Sequence, residues 1–197
     1  MNSGRPHAAV VNVAVWLGGG EVTPITHVRP AKFEDAAAIA AIYNQGISER
    51  VATFETEPRS VEQMTVWLEE HAGRYPVTVA EREGRVVAWA AAGPYRPRPC
   101  YDGVAEFSIY TDQAARGTGA GRAALQGLID ACEEAGFWKL VSRIFPENVP
   151  SRALCRKLGF REVGIYQRHA QLDGEWRDTV IVERLLGKAA GAIEAER

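Results

Sequence analysis

The sharpest chemistry in this chain is a run of glycines set between two arginines, Arg116-Gly117-Thr118-Gly119-Ala120-Gly121-Arg122. It follows the β-rich run Val104–Thr111 and opens an apolar-periodic run from Ala120. Glycines let backbone N–H groups come close to an anion, and a helix N-terminus adds its positive dipole end. A pyrophosphate is the natural guest of such a turn; the plainer reading is a flexible strand–helix connection. No Gly-Lys-Ser/Thr follows, so it is not a P-loop, and no third glycine completes a dinucleotide fingerprint. A second candidate is Arg96-Pro97-Arg98 within Gly93–Pro99. Alternate residues of an extended segment point the same way, so both guanidiniums can face one pocket and fork onto an anion with several oxygens. The prolines at 94, 97 and 99 stiffen the segment and lower its ordering cost. The alternative is a solvated Arg/Pro loop.

These residues need a scaffold, and the hydrophobic pattern supplies one. Ile25–Arg29 reads as a strand. Phe33–Ile47, with Ala36, Ile39, Ala40 and Tyr43 at helical spacing, reads as a helix. Ser60 with Gln63 three residues on forms a capping box for a helix through His71. Val77–Glu81 and Val86–Ala92 form a hairpin about Glu83-Gly84. Val104–Thr111 is a strand, Ala120–Ala135 a helix closed by Gly136, Leu140–Phe145 a strand and Pro150–Leu158 a short helix. Phe160–Tyr166 and Thr179–Leu186 read as late strands, with a turn at Leu172–Trp176 between them. Helices alternate with strands around one sheet, so the class is α/β or α+β. Residues 25–187 form the domain, 188–197 a tail, helical or frayed, and 1–24 an aperiodic, flexible N-terminal extension.

Composition limits the partners. The chain has 197 residues, 46% of them hydrophobic and 24% charged, with a net charge of −2. That is the balance of a folded domain and gives no broad basic face for nucleic acid. No apolar run is long enough to span a bilayer. The apolar stretch Ala8–Leu17 lacks the usual cleavage site after it, so no secretory signal is expected. Three scattered cysteines, Cys100, Cys132 and Cys155, fit a reducing, cytoplasmic setting and offer no metal site.

The ordered pattern resembles a known family. Arg116-x-x-Gly119-x-Gly121 after a strand, followed by Asn148-x-x-Ser151-x-x-Leu154 and Lys157-Leu158-Gly159-Phe160, is similar to the two signatures of the GCN5-related N-acetyltransferases. Within that superfamily, Pro94-Tyr95-Arg96-x-Arg98-x-x-Tyr101-Asp102, Ala105-Glu106-x-Ser108-x-Tyr110, Phe54 in Thr53-Phe54-x-Thr56-Glu57-Pro58, and Gly174-x-Trp176-x-Asp178 resemble the phosphinothricin acetyltransferases. The wording Gly93-Pro94-Tyr95-Arg96-Pro97-Arg98-Pro99-Cys100-Tyr101 and Phe137-Trp138-Lys139-Leu140 is most similar to the arsinothricin resistance N-acetyltransferases.

The resemblance implies a mixed, mostly antiparallel sheet of about six to seven strands flanked by about four helices. It also implies acetyl-CoA as co-substrate, no metal, a small amino-acid substrate, no nucleic-acid or membrane partner, and a homodimer. The reaction implied is acetylation of the α-amine of a phosphinate- or arsinate-bearing glutamate analogue, by direct transfer in a ternary complex. The alternatives are methionine sulfoximine-type amino acids or a protein N-terminus. On the cofactor side the implied residues are Ile109, Thr111, Arg116, Gly117, Thr118, Gly119, Ala120, Gly121, Arg122, Asn148 and Ser151, with the Ile109 amide as oxyanion donor. On the substrate side they are Phe54, Arg96, Arg98, Tyr101 and Ser108. Glu106 stands at the position of the family's base, where burial would raise its pKa; the other reading is a strand-end glutamate paired with an arginine. Tyr110 is a candidate acid, with water or solvent as alternatives. Cys155 stands where many members carry a tyrosine acid, and it reads better as a small buried hydrophobe than as a nucleophile. His169 reads either as a helper near the pocket or as an exposed strand residue. Trp176 and Asp178 read as pocket or dimer residues.

Overall fold

The computed structural model describes residues 25–195. The expectations for residues 1–24 and for the end of the tail lie outside the described residues. In chain order the elements are β1 (His27–Pro30), α1 (Ala36–Glu49), α2 (Val61–His71), β2 (Val77–Arg82), β3 (Arg85–Pro94), β4 (Val104–Thr111), α3 (Ala120–Glu134), β5 (Lys139–Ile144), α4 (Val149–Lys157), β6 (Arg161–Leu172), β7 (Glu175–Leu185) and α5 (Gly187–Ala195). Five helices thus accompany the strands where about four were expected, because α5 forms at the C-terminal end of the domain.

The strands make one seven-stranded sheet in the order β1-β2-β3-β4-β5-β7-β6. Every neighbouring pair is antiparallel except β4 and β5. Each face carries its own core, and the period-two alternation of the strands divides the residues between them. On one face, α1 and α2 lay Ile39, Ala40, Ile42, Met64 and Leu68 against Val77, Val79, Trp89 and Ala91. On the other, α3 lays Ala124, Leu125, Leu128 and Ile129 against Ala88, Ala90, Ala105 and Phe107. The alanines of β3 let α3 approach, and Gly127 is needed for the same reason: a Cβ there would stand 2.4 Å from a Val28 methyl.

Local chemistry fixes the element ends. Ser60 Oγ accepts from the Gln63 N–H at 3.2 Å while the Gln63 side chain accepts from the Ser60 N–H at 2.8 Å, so both halves of the capping box form. The helix expected from Phe33 begins with a tighter 3-10 turn over Phe33–Asp35. Asp35 accepts there from the Lys32 N–H at 2.8 Å and from Arg29 at 2.7 and 2.9 Å, which draws the chain in before α1 starts. Asp173 and Gly174, both at positive φ, make the two-residue turn between β6 and β7. Those strands run to the turn, well past the expected Tyr166 and Thr179 ends. Their added length is mostly exposed and polar, with Ala170, Leu172 and Trp176 as its apolar residues, so no sustained apolar alternation announces it.

Candidate active site

The parallel contact between β4 and β5 is short. Val104, Ala105 and Glu106 pair with Lys139, Leu140 and Val141, and there the register ends. β4 continues along β3 to Thr111, while β5 continues along β7 to Ile144. The two strands therefore diverge, opening the sheet into a V with Glu106 at its apex.

The backbone lining this V can be assigned from two hydrogen bonds. Ala92 donates its N–H to Pro76 O, away from β4, and Asp112 donates to Val87 O, towards β3. In an antiparallel pair the direction of the main-chain groups alternates with every residue. Phe107, Ile109 and Thr111 therefore turn their N–H and C=O groups away from β3; the Phe107 N–H is still taken by the last β5 pairing at Val141, and beyond it the Phe107 C=O and both groups of Ile109 and Thr111 face the V. That is an unpaired strand edge inside a sheet, able to hydrogen-bond an extended guest. The Ile109 amide lies in the middle of it.

The glycine run stands at the open end of the same strand. Gly117 and Gly119 have φ of +75° and +91°, a region that side-chain-bearing residues avoid. Gly119 caps α3, and the first bond of that helix is Ala123 N–H to Gly119 O at 3.0 Å. The N–H groups of Ala120, Gly121 and Arg122 consequently have no partner within the helix and face its N-terminal end. Gly121 serves packing instead. A Cβ there would lie 2.6 Å from Thr111 Oγ1, so glycine lets α3 close on β4.

The flanking arginines behave differently from each other. Arg122 is exposed, with no ion pair among the described residues. Arg116 instead forks onto Glu49 of α1 at 2.7 and 2.8 Å. That bond holds the Glu49 carboxyl below its usual range and raises Arg116. The charge expected at the cradle from Arg116 is thus engaged by α1. The Thr118 hydroxyl is likewise taken, donating to Ala115 O at 2.6 Å, while Arg82 donates to Thr118 O at 2.7 Å and braces the loop. Arg82 lies 36 residues from Thr118, and nothing in the local sequence pointed to it.

Asn148 caps α4. Its Oδ1 accepts from the Ser151 N–H at 3.2 Å, and its amide group donates to Val51 O at 3.1 Å, tying α4 to the chain after α1. Cys155 is fully buried, and burial pushes its thiol up to about 12, so it remains a packed thiol.

Glu106, Ser108 and Tyr110 share the α1–α2 face of β4. Glu106 is half-buried and lies in a fork from Arg143 of β5, at 2.9 Å from Nε and 2.5 Å from Nη2, with both carboxylate oxygens engaged. The carboxylate is therefore not solitary: the arginine of the paired reading is present, on the same side chain that the resemblance assigns as the base. Tyr110 lies in an aromatic stack, its ring centroid 4.9 Å from Trp89 and 4.8 Å from Tyr43, and its hydroxyl donates to Ala52 O at 3.4 Å. Burial raises this phenol well above its ordinary range. It packs the face under the site.

Arg96 and Arg98 leave the end of β3, whose Gly93 pairs with Glu106. Both are exposed and neither forms an ion pair among the described residues. Arg96 stacks over Tyr95, which meets Tyr101 edge-on at 5.5 Å. Phe54 meets Phe145 edge-on at 4.8 Å, and Arg177 lies over the Phe145 ring at 5.1 Å. Among the described residues no group of His, Cys, Asp and Glu is arranged to hold a metal, and no helix is long and apolar enough to cross a membrane.

Comparison with known proteins fits this architecture. The model of the acetyltransferase (GNAT) family matches residues 39–160, more than half of the chain. The chain belongs to the GNAT acetyltransferases. It is similar to the phosphinothricin N-acetyltransferase of Streptomyces viridochromogenes, 33% identical over 157 residues covering 80% of this chain and 86% of that protein. It is also similar to the L-methionine sulfoximine/L-methionine sulfone acetyltransferase of Pseudomonas paraeruginosa, 31% identical over 79% of this chain and 92% of that one. Among solved structures, the GNAT phosphinothricin acetyltransferase of Sinorhizobium meliloti, crystallised with acetyl-CoA, superposes with a TM-score of 0.79 at 34% identity, covering 84% of this chain and 91% of that chain. The chain is thus an enzyme of the N-acetyltransferase type, and its named relatives act on amino-acid analogues.

Proposed function

We propose that this GNAT enzyme acetylates the α-amine of an amino acid with an anionic phosphinate or arsinate side group, such as phosphinothricin or arsinothricin, in a ternary complex with acetyl-CoA. The observation that carries the reading is the V between β4 and β5, with Glu106 at its apex and the glycine cradle at its open end. The free N–H groups of Ala120, Gly121 and Arg122 fit a pyrophosphate, with Gly117 and Gly119 giving the backbone room to approach. The edge of Phe107, Ile109 and Thr111 fits the amide-bearing arm of coenzyme A. When bound, that co-substrate supplies an activated acyl group as a thioester.

The remaining chemistry belongs to the protein. The Ile109 N–H is placed to stabilise the oxyanion as the thioester carbonyl is attacked. An α-ammonium must lose a proton before it can attack, and Glu106 accepts it directly or through one water. The departing thiolate is protonated from solvent at the open side of the V, which asks nothing of Tyr110 or Cys155. Arg96 and Arg98 take the side-group anion, whose several oxygens suit two forked donors. Tyr101 and Phe54 supply the apolar wall, and Ser108 lies on the same face as Glu106.

A second reading, acetylation of methionine sulfoximine or sulfone, draws on the Pseudomonas relative. Two unpaired arginines favour an anionic side group over a neutral sulfone. We further propose a cytoplasmic homodimer. The cytoplasmic setting draws on three free thiols. The dimer draws on the edge strand β6 and the adjacent β7, which expose Val163, Ile165, Tyr166 and Trp176.

A substrate panel with acetyl-CoA and a thiol readout tests the assignment. It includes phosphinothricin, arsinothricin, methionine sulfoximine, methionine sulfone, glutamate and a peptide. Phosphinothricin or arsinothricin should give the highest kcat/KM. Thiol release with the peptide alone would overturn the proposal.

A further inference from the structure

Arg143 has no place in the roles above, yet it reaches across the V to Glu106. It stands on β5 two residues beyond Val141, the last residue paired with β4, and so shares a face with Val141 and its partner Glu106. Its side chain is 44% exposed and that of Glu106 29%, so the pair lies open at the apex. We propose that Arg143 receives the substrate's α-carboxylate, and that the Glu106–Arg143 pair is a receptor for the zwitterionic head of an α-amino acid. This rests on the proposed reading of the site as one that acetylates α-amines.

Charge complementarity supports it. The ammonium and carboxylate of an α-amino acid flank one carbon, so the head presents a positive and a negative group side by side. Laid on the ion pair, the ammonium meets Glu106 and the carboxylate meets Arg143. Each protein charge exchanges one partner for another of the same sign, and none is left unpaired. A half-exposed ion pair contributes little to stability, so opening it costs little. The guanidinium presents several donors in a plane, which allows it to keep one bond to Glu106 while forking onto a second carboxylate. Arg96 and Arg98 then remain for the side-group anion, so three arginines serve two anionic groups.

The late hairpin is shaped towards the same point. In β6, Gln167, Arg168 and His169 stand opposite Asp178 alone, because pairing jumps from Tyr166–Thr179 to Ala170–Arg177. Arg168 takes a positive φ of 48°, and its N–H donates to Asp178 Oδ1 at 2.7 Å, which holds the bulge. Bulges re-aim side chains, and this one sets His169 Nε2 3.5 Å from Arg143 Nη1. The Asp178 of the Gly174-x-Trp176-x-Asp178 pattern thus acts by fixing the β6 bulge, from which His169 reaches past β7 to Arg143.

The competing role is that Arg143 only holds Glu106 in place. Steady-state kinetics of wild type, Arg143→Ala and Arg143→Lys separate the two. The substrates are phosphinothricin and the amine that lacks its carboxylate, (3-aminopropyl)methylphosphinic acid. We expect Arg143→Ala to raise KM for phosphinothricin about tenfold or more, as loss of a charge-assisted pair does. The carboxylate-free amine should keep its KM within about twofold, whatever the change in kcat from loss of the Glu106 partner, and Arg143→Lys should fall between on phosphinothricin. An equal rise in KM on both substrates, or none on either, would overturn the proposal. Should Arg143→Ala melt early, Arg143→Lys carries the same comparison. Should the wild type prefer methionine sulfone, the phosphinate reading fails by itself, and that amino acid and its decarboxylated amine replace the pair. Turnover of carboxylate-free amines in preference to every amino acid overturns the receptor while leaving an N-acetyltransferase.

Discussion

The two ends of the V are built from different materials. The cradle end is made of backbone: Gly117 and Gly119 at positive φ, three unpartnered N–H groups at the start of α3, and the β4 edge at Phe107, Ile109 and Thr111. The apex is made of side chains from distant segments: Glu106 from β4, Arg143 from β5 and His169 from the β6 bulge, with the loop that carries Arg96 and Arg98 leaving β3 just past the Gly93–Glu106 pair. A backbone site reads phosphate and amide groups, which are the same in every acyl-CoA. A side-chain site can change with one substitution, and the proposed function assigns substrate choice to it. The arginine expected at the backbone end, Arg116, is in fact tied to Glu49, which sharpens the division.

Substitutions break the comparison in graded ways. Glu106→Gln removes the proposed base and the partner of Arg143 together. It should lower kcat by about 100-fold or more while leaving KM for acetyl-CoA within about twofold. Recovery of the rate as pH rises would assign the lost function to proton removal; an equal loss at every pH would assign it to geometry. Gly119→Val places a branched side chain at a φ of +91°. It should raise KM for acetyl-CoA about tenfold with little change in KM for the amino acid, and should cost about 1–3 kcal/mol in urea unfolding.

Arg116→Ala should have the smallest effect. Its partner Glu49 titrates below its ordinary range because of the Arg116 bond. A depressed carboxylate pKa contributes stability above the unfolded-state pKa and loses it as pH falls through the folded-state pKa. Arg116→Ala should therefore cost about 0.5–1 kcal/mol near neutral pH, discounted because the arginine is 48% exposed, and almost nothing once Glu49 is protonated. Urea unfolding at both pH values checks this. An accompanying rise in KM for acetyl-CoA would return Arg116 to the cradle.

The same division sets what could be read from the sequence. The cradle was legible because a glycine at positive φ is a local demand, written in a few consecutive residues. The Ser60–Gln63 box and the Asp173-Gly174 turn were legible for the same reason. Arg143 was not, because its role depends on β4 and β5 lying side by side across 37 residues of chain. The β6 bulge was hidden too: Gln167, Arg168 and His169 are polar and exposed, and only Asp178, ten residues from Arg168, shows that they break the ladder. The partner of Arg116 escaped for a related reason, since Glu49 lies 67 residues away on α1.

The proposed function separates recognition of the substrate's side-group anion, by Arg96 and Arg98, from the cradle, and one measurement tests that separation most directly. It is two-substrate initial-rate kinetics on the Arg96→Ala/Arg98→Ala double variant, varying phosphinothricin and acetyl-CoA together. KM for phosphinothricin should rise by about 100-fold, one factor of ten for each lost charge-assisted contact, with KM for acetyl-CoA within about twofold of wild type. An unchanged KM for phosphinothricin, or a parallel rise in both constants, would contradict it.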